Sequence, residues 1–185
     1  MNALILAGGR STRMGTDKSL LTYHHQPQWR YLYELLTPYC STVLISCRAD
    51  QKDNFDSFAC LIDNREIGPL GGILSAFEHS PNEAWLVVAC DMPFVSPETI
   101  AFLVSHRKLN QIATAFQHPE SLFPEPLLTI WEPESYAFIQ AQFQQNRFSP
   151  RQILKKANVH LLPCPTPRWL QNINTPEDFK NTTGQ

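Results

Sequence analysis

Residues 84–93 read Ala-Trp-Leu-Val-Val-Ala-Cys-Asp-Met-Pro, seven apolar residues in a row that stop at a carboxylate and a proline. A run this short, without polar alternation, reads as a strand covered on both faces, the pattern of a parallel sheet. "NALILA" (Asn2–Ala7), "TVLISC" (Thr42–Cys47) and "CLI" (Cys60–Ile62) repeat the pattern, and "IATAF" (112–116) and "LLTIW" (127–131) add further strand candidates. Helical signals lie between them. "WRYLYELL" (Trp29–Leu36) has helical spacing and is stopped by Pro38; "GPLGGILSAF" (Gly68–Phe77) opens a helix after a glycine turn; "SPETIAFLVSHR" begins with Ser96 as cap and Pro97 in the first turn. Near the end, Thr175 caps a helix begun by Pro176, with Asp178 in its first turn. The proline-rich "LPCPTPRW", ending at Trp169, reads as an extended arm. Alternation of strands and helices predicts an α/β fold with a mainly parallel sheet, and 185 residues suit a single domain, 1–185.

An open parallel sheet binds ligands at the carboxyl ends of its strands. Three such ends are chemically marked: Gly8-Gly9 after the first run, Asp63 after the third, and Asp91 after "AWLVVAC". The stretch after the first, "LILAGGRSTRMGTDKSLL" (Leu4–Leu21), fits no common phosphate loop. Gly9 and Gly15 enclose five residues, and Thr16 and Asp17 separate Gly15 from Lys18-Ser19, unlike the direct Gly-Lys-Ser/Thr of a P-loop. The dinucleotide G-x-G-x-x-G is absent too. Yet two glycines expose backbone N–H donors, and Arg10, Arg13 and Lys18 bring three cations within nine residues. A triphosphate has the complementary charge; a solvated basic loop is the bland alternative.

Asp91 either caps a turn or holds a hard cation, since Mg²⁺ takes one or two carboxylates together with substrate phosphates. Asp63 either accepts hydrogen bonds from a ribose or base or starts the turn that follows. Asn172 and Asn174 alternate in "QNIN" and face one side if that stretch is extended. No H-E-x-x-H, G-x-S-x-G or zinc-spaced Cys/His group occurs, and the six histidines read as structural. Covalent catalysis has no candidate. An ionised phosphate needs only positioning and charge neutralisation to attack another phosphate.

Composition narrows the setting. A net charge of -2 argues against nucleic acid or an anionic membrane as partner. Five scattered cysteines suit a reducing compartment, and neither a leader-like nor a membrane-length apolar run is present, so a cytoplasmic protein is expected.

Four motifs, running in order from Leu6 to Phe179, resemble those of the molybdenum cofactor guanylyltransferases, MobA-like nucleotidyltransferases. "LAGGRSTRMGTDKSLL" is similar to their L-A-G-G-x-S-x-R-M-G-x-D-K-x-L-L signature, "GPLGGI" to their second loop, "LVVACDMPF" to their metal-binding strand end, and "NINTPEDF" to their C-terminal motif. The resemblance implies a Rossmann-like three-layer nucleotidyltransferase fold. The implied reaction is transfer of GMP from GTP to the terminal phosphate of molybdopterin, with release of pyrophosphate. It implies Leu6, Ala7 and Gly8 along the guanine, Gly9 among the nucleotide-binding residues of the same turn, Arg13 and Lys18 on the phosphates, Asp63 on the nucleotide, Mg²⁺ on Asp91, and Asn174 at the polar end of the site. "NRFSPRQIL" resembles the stretch turned toward the pterin, which makes Arg147, Ser149 and Arg151 candidates for the acceptor. Transient contact with proteins that deliver molybdopterin or mature molybdoenzymes is implied as well.

Two positions depart from the family pattern. Ser46-Cys47-Arg48 stands where a ribose contact is usual, and Glu125 precedes Pro-Leu where relatives often carry Gln or His. The cytidylyltransferase for the same cofactor is the nearest rival, with L-A-A-G and P-L-E-G in the two loops. Here Gly8 and Gly71 replace the bulkier residues, which favours the larger purine. A sugar-phosphate nucleotidyltransferase carries a different opening loop, and a non-catalytic nucleotide-binding module would need neither Asp91 nor Lys18.

Overall fold

The computed structural model describes residues 1–9 and 18–183. Seven strands form one sheet in the order β3-β2-β1-β4-β6-β5-β7: β1 Asn2–Leu6, β2 Val43–Cys47, β3 Cys60–Ile62, β4 Trp85–Ala89, β5 Ala113–Gln117, β6 Pro124–Trp131 and β7 Val159–Pro163. The first four pair parallel, and β6 runs antiparallel to both β4 and β5. Among the described residues six α-helices accompany them: α1 Gln28–Leu36, α2 Pro69–His79, α3 Pro97–Ser105, α4 Ser135–Gln144, α5 Pro150–Leu154 and α6 Pro176–Thr183.

The period of two in a strand sorts the apolar residues into two cores. Ala3 and Ile5 of β1 pack with Trp29, Leu32 and Leu36 of α1 and with Ile100 and Leu103 of α3. Leu4, between them, faces the other way, toward Leu70, Ile73 and Phe77 of α2, Ile139 of α4 and Ile153 of α5. The sheet is therefore sandwiched, as the unbroken apolar runs required, and the three-layer α/β reading holds.

Local signals behave as their chemistry dictates. The Ser96 hydroxyl accepts from the Thr99 N–H at 3.3 Å and caps α3. Thr175 accepts from the Asp178 N–H at 3.1 Å while Asp178 accepts from the Thr175 N–H at 2.9 Å, a reciprocal cap on α6. The proline-rich arm is shorter than expected. Its first residues complete β7, which pairs parallel with β5 from Ala113↔Val159 to Gln117↔Pro163. Proline is tolerated there because β7 is an edge strand. Helix α4 has a weak apolar stripe and left no clear periodic signal.

One contact sets the height of the site floor. A Cβ built on Gly72 of α2 would lie 2.5 Å from Ser46 Oγ of β2 and 2.7 Å from Leu6 Cδ2 of β1. The helix start thus rests directly on the ends of two central strands. Gly72→Ala is expected to destabilise the protein by about 1–3 kcal/mol through overpacking, partly offset by better helix propensity. Thermal unfolding of the variant checks this; a melting temperature equal to or above that of the wild type contradicts it.

Candidate active site

Register brings the marked strand ends together. Leu6 pairs with Ser46 on one side and Ala89 on the other, and Cys47 pairs with Ile62. The residues that follow, Gly8-Gly9, Asp63 and Asp91, therefore share one edge. They line a cavity of about 600 Å³ together with Leu6, Ala7, Lys18 and Asn174. Every residue expected on the nucleotide or the metal is in this one cleft except Arg13, which lies outside the described residues together with Arg10.

Lys18 is the hub. Its Nζ donates to Asn174 Oδ1 at 2.7 Å and lies 3.5 Å from Asp91 Oδ2. Three distant chain segments thus converge on one ammonium. Two further contacts hold them there: the Ile173 N–H donates to the Asp91 carbonyl at 2.8 Å, and the Tyr23 ring meets Phe179 edge-on at 5.1 Å. Asn172, on the same side of its segment by alternation, lies outside the cavity; its side-chain oxygen is buried without a partner among the described residues.

Asp91 is electrostatically perturbed. Burial pushes its carboxyl above the ordinary carboxylate range, and the Lys18 ammonium only partly opposes this. Its Oδ1 is buried with no hydrogen-bond partner among the described residues. Such an oxygen fits a hard cation, although the described residues include no group of three His, Cys, Asp or Glu side chains able to hold a metal by themselves. A Mg²⁺ that brings phosphates as its other ligands needs no such group.

Asp63 starts the turn, one of its two readings: its Oδ1 accepts from the Arg65 N–H at 3.0 Å, and its carboxylate is also at the cleft. A Cβ on Gly71 would run into that carboxylate, with Cγ only 2.8 Å away. Any side chain at position 71 must displace Asp63. At Gly8 the constraint is milder, since a Cβ would sit 3.6 Å from the Cys47 backbone, an ordinary contact. The steric difference from the P-L-E-G pattern therefore resides at Gly71.

Sequence reasoning missed Arg48 as a structural part of the site. Its Nη1 donates to the carbonyls of Gly8 and Gly9 at 3.1 and 3.0 Å, while the guanidinium clasps Asp50 through two further bonds of 3.0 Å. Arg48 braces the glycine turn at the position that departs from the family's ribose-contact pattern. A cation directly after the second strand was the available signal. Of the acceptor candidates, Ser149 caps α5 by accepting from the Gln152 N–H at 3.4 Å, Arg147 donates to Gln142 Oε1 at 3.0 Å, and Arg151 lies 3.7 Å from Glu125. None of the three lines the cavity itself. Among the histidines, His24 contacts the Pro93 carbonyl at 2.9 Å and stacks on Tyr31, a packing role as expected.

A parallel half-sheet whose strand ends carry a glycine turn, a lysine and a half-free buried aspartate defines a nucleotidyltransferase domain. The MobA-like NTP transferase domain matches residues 3–161, and the chain belongs to that family. It is 30% identical over 190 residues to the molybdenum cofactor guanylyltransferase of Pseudomonas fluorescens, covering 99% of this chain and 94% of that protein. It is 32% identical over 179 residues to a molybdenum cofactor biosynthesis bifunctional protein of Synechocystis, spanning 95% of this chain but about half, 52%, of that relative. In fold it is similar to molybdopterin-guanine dinucleotide biosynthesis protein A from Archaeoglobus fulgidus, with a TM-score of 0.81 at 24% identity over 100% of this chain and 97% of that one.

The Asp91 carboxyl yields a pH prediction. Its folded-state pKa is raised, so ionisation costs stability as pH climbs from the unfolded value through the raised one, and the cost stands in full above that window. Asp91→Asn should accordingly melt higher than the wild type at neutral pH without nucleotide, with the gap closing below about pH 4, near the ordinary carboxylate value. Paired melting curves across pH test this; a variant that melts lower at neutral pH contradicts it.

Proposed function

We propose that the protein transfers GMP from GTP to the terminal phosphate of molybdopterin, releasing pyrophosphate and forming a guanine dinucleotide cofactor. The observation that carries this is the convergence of Lys18, Asp91 and Asn174 in the cleft that Gly8, Gly9 and Asp63 also line. The names of the P. fluorescens and other relatives of similar length support the choice of substrates.

In this reading the nucleoside lies toward the β3 side, between the glycine turn and Asp63, and the triphosphate reaches Lys18. The Lys18 ammonium, pinned by Asn174 and Asp91, neutralises charge that grows on the departing pyrophosphate, and Arg13 adds a second cation. Pinning matters because a preorganised charge needs no reorientation as the reaction proceeds. Asp91, with the phosphates of the nucleotide, would hold Mg²⁺, which supplies further charge neutralisation at the reacting phosphates. The acceptor's terminal phosphate is ionised at neutral pH, so one of its oxygens forms the new bond to the α-phosphorus as the bond to the β-phosphate oxygen breaks. No proton transfer is needed, in keeping with the lack of a general base. Gly71 favours guanylyl over cytidylyl transfer, since the glutamate of the rival pattern would collide with Asp63.

The remaining expectations follow from the same reading. Both cores draw on residues from across the chain, which supports one domain over 1–185. Among the described residues no helix is long and apolar enough to cross a membrane, and we place the reaction in the cytoplasm. There the product passes, by transient contact, to proteins that mature molybdoenzymes; nucleic acid has no part in it.

The test is direct assay with GTP, Mg²⁺ and molybdopterin. The wild type should release pyrophosphate and form the dinucleotide, CTP should not replace GTP, and Asp91→Ala should lower the rate by at least about 100-fold. Transfer from CTP in preference to GTP, or an unimpaired Asp91→Ala enzyme, overturns the proposal.

A further inference from the structure

Glu125 is the second buried carboxylate of this edge, and neither the fold nor the nucleotide accounts for it. It stands near the start of β6 and is 2% exposed. Strand β6 runs antiparallel to β4 with Val88 opposite Leu128, so Glu125 near its start lies toward the β4 end that carries Asp91, close enough for the Asp91 charge to act on it. Leu127, two residues on, lines the cavity. Burial pushes the Glu125 carboxyl up, and the nearby Asp91 charge adds to this, while the Leu127 N–H, Arg151 and His118 oppose it.

The partners of Glu125 are specific. One oxygen, Oε1, accepts from the Leu127 N–H at 3.0 Å; the other, Oε2, faces Arg151 Nη2 at 3.7 Å. Arg151 is 47% exposed. A long ion pair with one half-exposed member contributes little to stability, and burying a carboxylate beside another carboxylate carries a desolvation cost. The arrangement makes sense if the guanidinium is what matters. Arg has five N–H donors in a rigid fork, so an edge turned to Glu125 leaves others for a second anion.

That anion has a defined side from which to arrive. In the guanylyl-transfer reading the nucleoside takes the β3 side of the cleft, which leaves the β6 side, where Glu125 and Arg151 stand, to the acceptor. We infer that Glu125 is a positioning residue that sets the Arg151 guanidinium to take the terminal phosphate of the acceptor. This deepens the guanylyl-transfer reading and rests on it. The phosphate monoester is the chemistry a fixed guanidinium recognises, by paired N–H donors. Glu125 also balances the Arg151 charge in the absence of acceptor, so the guanidinium keeps its place without drawing the triphosphate across the cleft.

The test is steady-state kinetics on the full chain with GTP, Mg²⁺ and molybdopterin, comparing wild type, Glu125→Ala, Glu125→Gln, Arg151→Ala and the Glu125→Ala/Arg151→Ala double variant. Arg151→Ala and Glu125→Ala should each raise the KM for molybdopterin by about tenfold, with the KM for GTP within about twofold of wild type. The double variant should be no worse than Arg151→Ala, because Glu125 acts through Arg151. Glu125→Gln, similar in size and able to keep the fold, should melt no lower than the wild type and still raise the acceptor KM. An acceptor KM unchanged in Glu125→Gln, or effects that multiply in the double variant, overturns the inference while leaving guanylyl transfer standing. A wild type that forms no product from GTP overturns both.

Discussion

The parallel pairing of β3, β2, β1 and β4 is the constraint on which everything else depends. It forces four strands to end at one edge, and those ends carry the polar residues that the apolar strands cannot hold. Gly8-Gly9, Asp63 and Asp91 are far apart in the chain, yet register alone brings them into one cleft. The antiparallel β6 then closes the cleft from the other side, and its reversed direction lets the beginning of one strand meet the end of another. That reversal is why Glu125 lies near Asp91.

Within this frame the Lys18–Asp91–Asn174 contact works as a clasp. It ties the segment after the first strand to the β4 end and to the C-terminal "NINTPEDF" stretch. As a surface ion pair it would contribute little. Its energetic character is different, because Asp91 is largely buried and its carboxyl is held above its ordinary range even with Lys18 beside it. Tyr23, whose phenol burial and the Asp91 charge push upward, stands by the same carboxylate. Asp91 is thus under-compensated by the described residues alone, and in the proposed reading a cation bound with the nucleotide's phosphates relieves it. Binding free energy that relieves such a burial cost appears as added stability of the loaded protein.

Much of this was legible in the sequence, for identifiable reasons. Apolar runs that stop at glycine or aspartate mark parallel strands and their functional ends together, so β1 to β4 and their polar residues could be read at once. The caps at Ser96 and Thr175 are local chemistry and came out as read. What escaped depends on long-range contact. Nothing local says that Arg48 turns back onto the Gly8 and Gly9 carbonyls, or that Arg151 sits against Glu125. Helix α4 lacks a strong stripe, and β7 hid in a proline-rich stretch because an edge strand tolerates what a central one does not. The Gly71–Asp63 contact likewise links two residues whose meeting only the β3–α2 packing creates.

The central claim is that the lysine after the first strand and the aspartate after the fourth jointly hold a cation-bearing purine triphosphate. The most direct measurement is Mn²⁺ electron paramagnetic resonance on the purified protein, with and without GTP. The account predicts one bound Mn²⁺ per chain that requires GTP for tight binding, and that loses this GTP dependence in Lys18→Ala. Tight Mn²⁺ binding indifferent to GTP, or GTP-dependent binding preserved without the Lys18 ammonium, would contradict it.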